Sequence, residues 1–98
     1  MREAEIEKIL VAGVKKLGGR AYKWVSPGNN GVPDRIVVLP EHPAVFVELK
    51  TETGRTTSLQ QVQIGRLRKM GQDVRVLYGE KMVRMFLEEC ERKMTDGV

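Results

Sequence analysis

The feature that most constrains the fold is a helical pattern enclosed between two short apolar segments in the middle of the chain. Residues 44–50 and 73–78 have the length and β-branched content of strands, and residues 58–70 between them have apolar side chains at helical spacing. Two strands connected through a helix that packs on their sheet are normally parallel, with a right-handed crossover. The sequence therefore predicts a β-α-β unit.

A hairpin is expected just before this unit. Residues 34–39 form an apolar run, which the turn Pro40-Glu41-His42-Pro43 separates from strand 44–50. The expected fold is α/β, with the element order αβββαβα and a mixed four-stranded sheet. The other predicted elements are helix 3–17, strand 20–25, helix 80–93 and a frayed tail at 95–98. The apolar positions of the central helix are Leu59, Val62, Leu67 and Met70, with Ile64 between them.

Composition limits the class of protein. The chain has 98 residues, of which 41% are hydrophobic and 31% charged, so we expect one globular domain over residues 1–98. The net charge of +4 is compatible with nucleic acid as a partner but does not require one. Cys90 is the single cysteine, which excludes an internal disulfide and fits the cytoplasm. We expect no membrane segment or secretory signal, since no long apolar run exists.

A carboxylate and a lysine share one face of strand 44–50. Side chains alternate between the faces of a strand, so Glu48 and Lys50 point the same way, whereas Leu49 points to the other face. Asp34 begins the preceding strand, and closure of the hairpin brings its end beside the Lys50 end. We therefore expect Asp34, Glu48 and Lys50 to converge at one end of the sheet.

Two carboxylates beside a lysine suit metal-assisted phosphate chemistry. Mg²⁺ takes oxygen ligands, and the single His42 and Cys90 rule out a paired His or Cys site. The metal would polarise a phosphate and lower the pKa of a bound water, and the lysine would orient or deprotonate that water. The Leu49 carbonyl is a further candidate ligand. Gln60 opens the next helix, whose positive end would face a phosphate.

Each of these residues also has a structural explanation. A Glu-x-Lys pair on a strand is most often a solvated pair, and a Pro-Asp step is a common turn. Thr57 and Gln60 have the spacing of a helix capping box, which explains Gln60 as well as a catalytic role does. Tyr22 and Trp24 are interpreted as core or edge packing residues rather than as surfaces for base stacking. The order in which the polar residues occur is more specific than any one of them.

That order resembles the VRR-NUC family (virus-type replication-repair nucleases), a branch of the PD-(D/E)xK nucleases. The family pattern has a glutamate in the first helix, Gly-x-Pro-Asp, Glu-x-Lys, and a glutamine that opens the next helix. The matching residues here are Gly31-Val32-Pro33-Asp34, Glu48-Leu49-Lys50 and Gln60. The resemblance extends from Glu3 to about Tyr78. It implies a restriction-endonuclease-like αβββαβ core followed by a C-terminal helix.

The resemblance implies a role for each matching residue. Asp34 and Glu48 would hold the metal together with the Leu49 carbonyl. Lys50 would be the general base or would stabilise the transition state, and Gln60 would support the water or the phosphate.

Other residues are weaker candidates. Glu7 is the preferred acid of the first helix, and Glu3, one turn away on the same face, is the alternative. Gln63, one turn after Gln60, is a candidate for a second polar contact. The cations expected near DNA phosphates are Lys23, Arg35 and Arg55, followed by Arg66, Arg68 and Lys69.

The implied activity is that of a structure-selective DNA endonuclease dependent on Mg²⁺, with Mn²⁺ as an alternative. Members that consist of this domain alone resemble bacteriophage proteins that are homodimeric and similar to Holliday-junction resolvases. The resemblance therefore implies branched DNA as substrate, a homodimer, no small-molecule cofactor and, for a phage protein, the host cytoplasm. Helix 80–93 is the segment least tied to the motif and is expected to provide packing or dimer contacts.

Three other functions stay open. A restriction or nicking nuclease, or a subunit of one, would keep the chemistry and would show sequence preference. A non-catalytic nucleic-acid-binding module would keep the fold, and replacing Asp34 by Asn would not affect it. A protein-interaction domain with a chance motif would not bind DNA at low salt.

Overall fold

The computed structural model describes residues 1–96 and has three helices and four strands. In chain order they are α1 (Glu3–Lys16), β1 (Arg20–Lys23), β2 (Arg35–Val38), β3 (Val45–Lys50), α2 (Ser58–Lys69), β4 (Asp73–Tyr78) and α3 (Gly79–Asp96). The strands form one sheet in the order β1-β2-β3-β4, in which β3 and β4 are parallel and the other pairs antiparallel. The predicted α/β class, element order and mixed sheet are confirmed.

The ends of several elements differ from the prediction. β1 stops at Lys23 instead of residue 25, although the Trp24 N–H still donates to the Asp34 carbonyl over 3.0 Å. α3 continues to Asp96, beyond the predicted end at residue 93, because Met94 packs against the core. The predicted frayed tail is therefore helical at its start, and its last two residues, 97 and 98, lie outside the described residues.

One face of the sheet carries the main core, between the strands and helices α1 and α3. The strands contribute their odd-numbered side chains, such as Val37, Val47 and Leu49, all fully buried. From α3, Phe86 and Cys90 are buried in the same cluster. The packing role expected of this helix is thus confirmed. Within residues 1–96, no helix has both the length and the apolarity of a membrane-spanning segment.

The orientation of α2 differs from the prediction. Ile64 is buried, whereas Leu59, Val62 and Met70, which make up most of the expected apolar positions, are exposed. The helix instead turns Gln60 inward, one turn before Ile64, because the glutamine bonds to a buried group on β3. The apolar pattern was misleading here because polar contacts determine which face is buried.

A charged network ties β4 to α3. Arg75 donates to Glu89 Oε2 over 2.7 Å and to Asp73 Oδ1 over 2.7 Å, and its guanidinium lies 5.7 Å from the centre of the Phe86 ring. The Arg75 bond lowers the pKa of Glu89 to about 2, although partial burial opposes the shift. An acid whose pKa is depressed by folding stabilises the folded state above its unfolded pKa, and that contribution disappears as the pH falls towards the folded value.

Glu89→Gln should therefore destabilise the protein at neutral pH. The side chain of Glu89 is 35% exposed, so screening limits the loss to about 1 kcal/mol, or a decrease in Tm of roughly 5 °C. The difference between wild type and variant should disappear between about pH 4.5 and pH 2, as the wild-type carboxylate is protonated. Thermal unfolding followed by circular dichroism measures both effects. The matched control is Glu91→Gln, at an exposed site on the same helix; an equal loss in both variants would contradict the assignment.

Candidate active site

The hairpin register brings Asp34 to Glu48. Arg35 pairs with Val47, so one step further Asp34 lies opposite Glu48. The Leu49 N–H donates to Asp34 Oδ2 over 2.8 Å, which fixes the aspartate against β3 although it lies just before β2. The structure thus brings Asp34, Glu48 and Lys50 together at one end of the sheet.

The carboxylate of Glu48 is the most buried charge of the site. Its side chain is 1% exposed, and Oε2 accepts from Gln60 Nε2 over 3.0 Å and lies 3.4 Å from Lys50 Nζ. The other oxygen, Oε1, is buried and has no hydrogen-bond partner among residues 1–96. Burial, assisted by the negative charge of Asp34, raises the pKa of Glu48 to about 7, and Lys50 opposes that rise.

The electrostatics of Asp34 follow the same pattern. Burial raises the pKa of Asp34, the hydrogen bond from Leu49 N–H opposes the rise, and the negative charge of Glu7 adds to it. Two carboxylates are therefore held together in a site where water cannot fully solvate either of them. Such a pair favours a bound cation or proton between the two groups.

The donor set fits a hard divalent cation. Oxygen ligands are available from Asp34, from the unpartnered Glu48 Oε1 and from the carbonyl of Leu49, the residue after Glu48 on β3. Among residues 1–96, no three His, Cys, Asp or Glu side chains form a metal cluster by themselves. A cation here would therefore need the backbone carbonyl, water or a phosphate to complete its ligands, as Mg²⁺ commonly does.

Gln60 completes the capping box expected from the sequence and also contacts the carboxylate pair. Its Oε1 accepts from the Thr57 N–H over 2.9 Å, while Thr57 Oγ1 accepts from the Gln60 N–H over 3.2 Å, which completes a capping box. The remaining amide nitrogen donates to Glu48. The same cap that starts α2 therefore orients the carboxamide towards the site.

The loop before β2 packs against the start of α2 through its backbone. Gly31 has φ of +90°, and a Cβ at this position would lie 2.7 Å from the Leu59 carbonyl and 2.8 Å from the Gln60 nitrogen. Gln63 Nε2 donates to the Asn30 carbonyl over 3.4 Å, so this candidate residue contacts the loop rather than the carboxylates. One loop thus positions both Asp34 and the helix that carries Gln60.

The two candidate acids of the first helix act on different members of the carboxylate pair. Glu7 Oε1 accepts from Arg35 Nη2 over 3.0 Å, and its charge also acts on Asp34. Glu3 is exposed, and its charge contributes to the raised pKa of Glu48. Arg35 also donates to the Ala21 carbonyl, and its side chain is 17% exposed, so its known contacts are within the protein. The register places its side chain on the α1 face of the sheet, in the row of Val47.

The other expected cations are distributed over several surfaces. Lys23 and Arg55 are exposed, the first at the end of β1 and the second in the loop before α2. Arg68 donates to the Val74 carbonyl over 2.8 Å and holds α2 against β4. Tyr22 is 50% exposed on the edge strand β1, which is compatible with the edge packing expected for it. The apolar pattern of β1 is too weak to show which of its faces is covered.

Comparison with known proteins identifies relatives over most of the chain. A protein named "Putative nuclease p44", from Acyrthosiphon pisum secondary endosymbiont phage 1, is 49% identical over 77 residues, which cover 79% of this chain and 83% of the phage protein. A solved structure described as a VRR_NUC domain superimposes with a TM-score of 0.82 at 32% identity, over 88% of this chain and 94% of that one. The chain belongs to the VRR-NUC family.

A second VRR_NUC domain protein supports the fold alone. It superimposes with a TM-score of 0.73 at 19% identity, over 90% of this chain and 86% of that one. No family model matches the chain. Membership of the VRR-NUC family identifies the protein as a nuclease, and therefore as a hydrolase, and its similarity to the phage protein supports a phage-type member.

The two roles of Gln60 can be separated by mutation. Gln60→Glu keeps a residue that completes capping boxes but removes the donor to Glu48, so nuclease activity should fall by about tenfold or more while helix stability is kept. Thr57→Ala should instead cost about 1 kcal/mol of stability and leave activity within about twofold. Rates of hydrolysis and chemical unfolding curves measure the two effects. An active Gln60→Glu enzyme would restrict Gln60 to the cap.

Gly31→Ala tests the contact between the loop and α2. The new Cβ would meet backbone atoms that cannot rotate away, so the start of α2 should shift and activity fall by about tenfold or more. Gly28→Ala is the matched control, because Gly28 has φ of +79° and a Cβ added there would have no atom within 4 Å. Both variants should lose about 1 kcal/mol of stability through backbone strain. Equal activity in the two variants would show that the contact does not position the site.

Proposed function

We propose that this protein is a divalent-metal-dependent DNA endonuclease that hydrolyses phosphodiester bonds in branched DNA. The observation that carries this proposal is the buried Glu48 carboxylate beside Asp34 and Lys50, whose Oε1 has no hydrogen-bond partner within residues 1–96. A buried carboxylate oxygen without a donor costs stability unless a cation or proton binds it. A metal site explains that cost, and membership of a nuclease family supports the same chemistry.

Asp34, Glu48 and the Leu49 carbonyl would hold the metal, for which we propose Mg²⁺, with Mn²⁺ as a substitute. When bound, a divalent ion supplies Lewis-acid stabilisation of phosphate charge and a lower pKa for water. The chain contributes rigidity: the bond from Leu49 N–H fixes Asp34, and the Gln60 amide fixes Glu48. Neither carboxylate needs to reorganise when the cation arrives.

Lys50 and Gln60 would act on the reacting groups. Lys50 is on the same face as Glu48, and its Nζ would take a proton from the attacking water or offset negative charge on the phosphate. Gln60 has one amide hydrogen left for a water or phosphate oxygen after its bond to Glu48. We retain Glu7 as the first-helix acid, acting through its charge on Asp34.

DNA phosphates would contact exposed cations around the site. We propose Lys23 and Arg55 for this role and exclude Arg35, which is bonded to Glu7. Glu3 and Gln63 remain secondary candidates. The nuclease would work in the cytoplasm, since its one cysteine, Cys90, is an unpaired thiol buried in the core.

We also propose a homodimer with two sites on one substrate. Three exposed apolar side chains support a dimer: Leu59 and Val62 on α2, and Met70 directly after it. A symmetric dimer would present two identical sites, as paired cleavage of a junction requires. We favour α2 over α3 for the dimer contacts, because the apolar face of α3 already packs in the core.

The test is cleavage of a labelled four-way junction, a flap and a linear duplex in Mg²⁺ or Mn²⁺. Branched substrates should be cut, and EDTA, Lys50→Ala and Asp34→Asn should each lower the rate by at least about a hundredfold. Asp34→Asn retains an oxygen that accepts from Leu49 N–H, so the fold is expected to survive. Lys81→Ala, on the exposed part of α3, is the control and should cleave at the wild-type rate.

Other outcomes would select the alternative functions. Sequence-dependent cutting of linear duplex would indicate a restriction or nicking enzyme. Binding of every substrate without cleavage, unchanged in Asp34→Asn, would indicate a non-catalytic binding module. Absence of DNA binding at low salt would leave a protein-interaction domain.

A further inference from the structure

The face of the sheet that carries Glu48 is covered at only one side. α2 packs over β4 there, with Ile64 and Val74 buried. At the β1 side the same face is open, so Tyr22 is 50% exposed and Val38 is 40% exposed. A partly exposed aromatic surface, with Tyr22 exposed and Trp24 and Phe46 half-buried, therefore borders the candidate active site.

This surface forms a continuous strip, which we define as Tyr22, Trp24, Ile36 and Phe46. Tyr22 pairs with Ile36, and Ile36 pairs with Phe46, so the three side chains lie in one row on one face. The Trp24 ring lies 5.3 Å from the Phe46 ring, which places it on the same face.

The strip is continuous with the carboxylate pair. Phe46 and Glu48 are two residues apart on β3 and therefore share a face. The Trp24 N–H donates to the carbonyl of Asp34 over 3.0 Å, so the tryptophan is anchored to the residue that also contacts Leu49. A molecule lying on the strip would reach the carboxylates without crossing another element.

The charge beside the strip favours an anion with aromatic rings. Of the three basic residues in β1 and β2, Arg20 lies on the face of the strip, whereas Lys23 and Arg35 pair with each other on the opposite face. The guanidinium of Arg20 lies 5.6 Å from the centre of the Tyr22 ring, at the outer end of the strip. A planar ring and a cation next to each other match a base and its phosphate.

We propose that the strip stacks unpaired bases of the DNA substrate next to the phosphate that is cut. This inference rests on the proposed function and narrows its substrate to DNA with unpaired nucleotides beside the cleavage position. In a duplex the ring faces of the bases are covered by their neighbours, so only unpaired bases can lie on Tyr22 and Trp24.

A second copy of the chain fits this surface less well. A symmetric contact through the strip would bring the Arg20 residues of both copies towards each other. Like charges brought together at an interface disfavour association.

Trp24 provides a direct probe, since it is the only tryptophan in the chain. The experiment titrates the protein in EDTA with a twelve-nucleotide oligothymidine, a flap DNA and a linear duplex of equal length, and follows tryptophan fluorescence and DNA anisotropy. The oligothymidine and the flap should quench Trp24, and the duplex should not. Tyr22→Ala should weaken binding of the flap by about five- to tenfold and leave duplex binding unchanged. Tyr22→Phe should restore wild-type affinity.

The controls separate the inference from the proposed function. Met85→Ala, an exposed apolar site on α3, should bind all three DNAs as wild type does. Equal binding of flap and duplex by wild type and Tyr22→Ala would overturn the strip while leaving DNA binding intact. Failure of the wild type to bind any DNA would overturn both the strip and the proposed function. Conversion of a dimer to a monomer by Tyr22→Ala, measured by light scattering, would show that the strip joins two copies and would also overturn the inference.

Discussion

Burial of the Glu48 carboxylate beside Asp34 is the constraint on which the rest of the site depends. A carboxylate removed from water costs several kcal/mol unless charges and donors replace its hydration, as general estimates for buried ions indicate. Here Lys50 and Gln60 provide part of that replacement, and one oxygen stays without a partner. The structure therefore retains a local instability at the point where we propose that a cation binds.

The surrounding elements hold this arrangement from several directions. The parallel pairing with β4 supports β3 along the length that leads into the site, and the capping box starts α2 with its glutamine facing Glu48. On the opposite face of the sheet, Arg35 and Glu7 join β2 to α1. Each of these contacts uses polar groups, which explains why the site is rigid although its central group is unfavourable to bury.

The sequence predicted the sheet well because its signals are local. The two apolar strands of the hairpin have a turn between them, and the spacing from Lys50 to residue 73 fits a crossover helix. The position of the turn sets the register of the hairpin, and that register places Asp34 beside Glu48, as the structure shows. The burial of Glu48 does not follow, because it depends on the later packing of α2.

The errors arose where tertiary contacts override local pattern. The face of α2 that packs against the sheet carries Gln60 together with Ile64. A prediction based on apolar spacing alone therefore assigned the wrong face of this helix to the core. The contact of Arg35 with Glu7 was not predicted either, although strand alternation places Arg35 in the row of Val47, beside α1. The sequence contained a signal for the position of Arg35. Residues two apart on a strand share a face, so Arg35 lies on the same face as the core residue Val37.

The backbone contact between Gly31 and the start of α2 joins the loop of Asp34 to the helix of Gln60, so the two sides of the site cannot separate. A site assembled in this way has little capacity to adapt its shape to a substrate. Any bending or unstacking that the reaction requires must then come from the nucleic acid, and its energetic cost differs between stiff and flexible sequences. Discrimination among substrates would accordingly follow how easily each one deforms, even at positions that the protein does not touch.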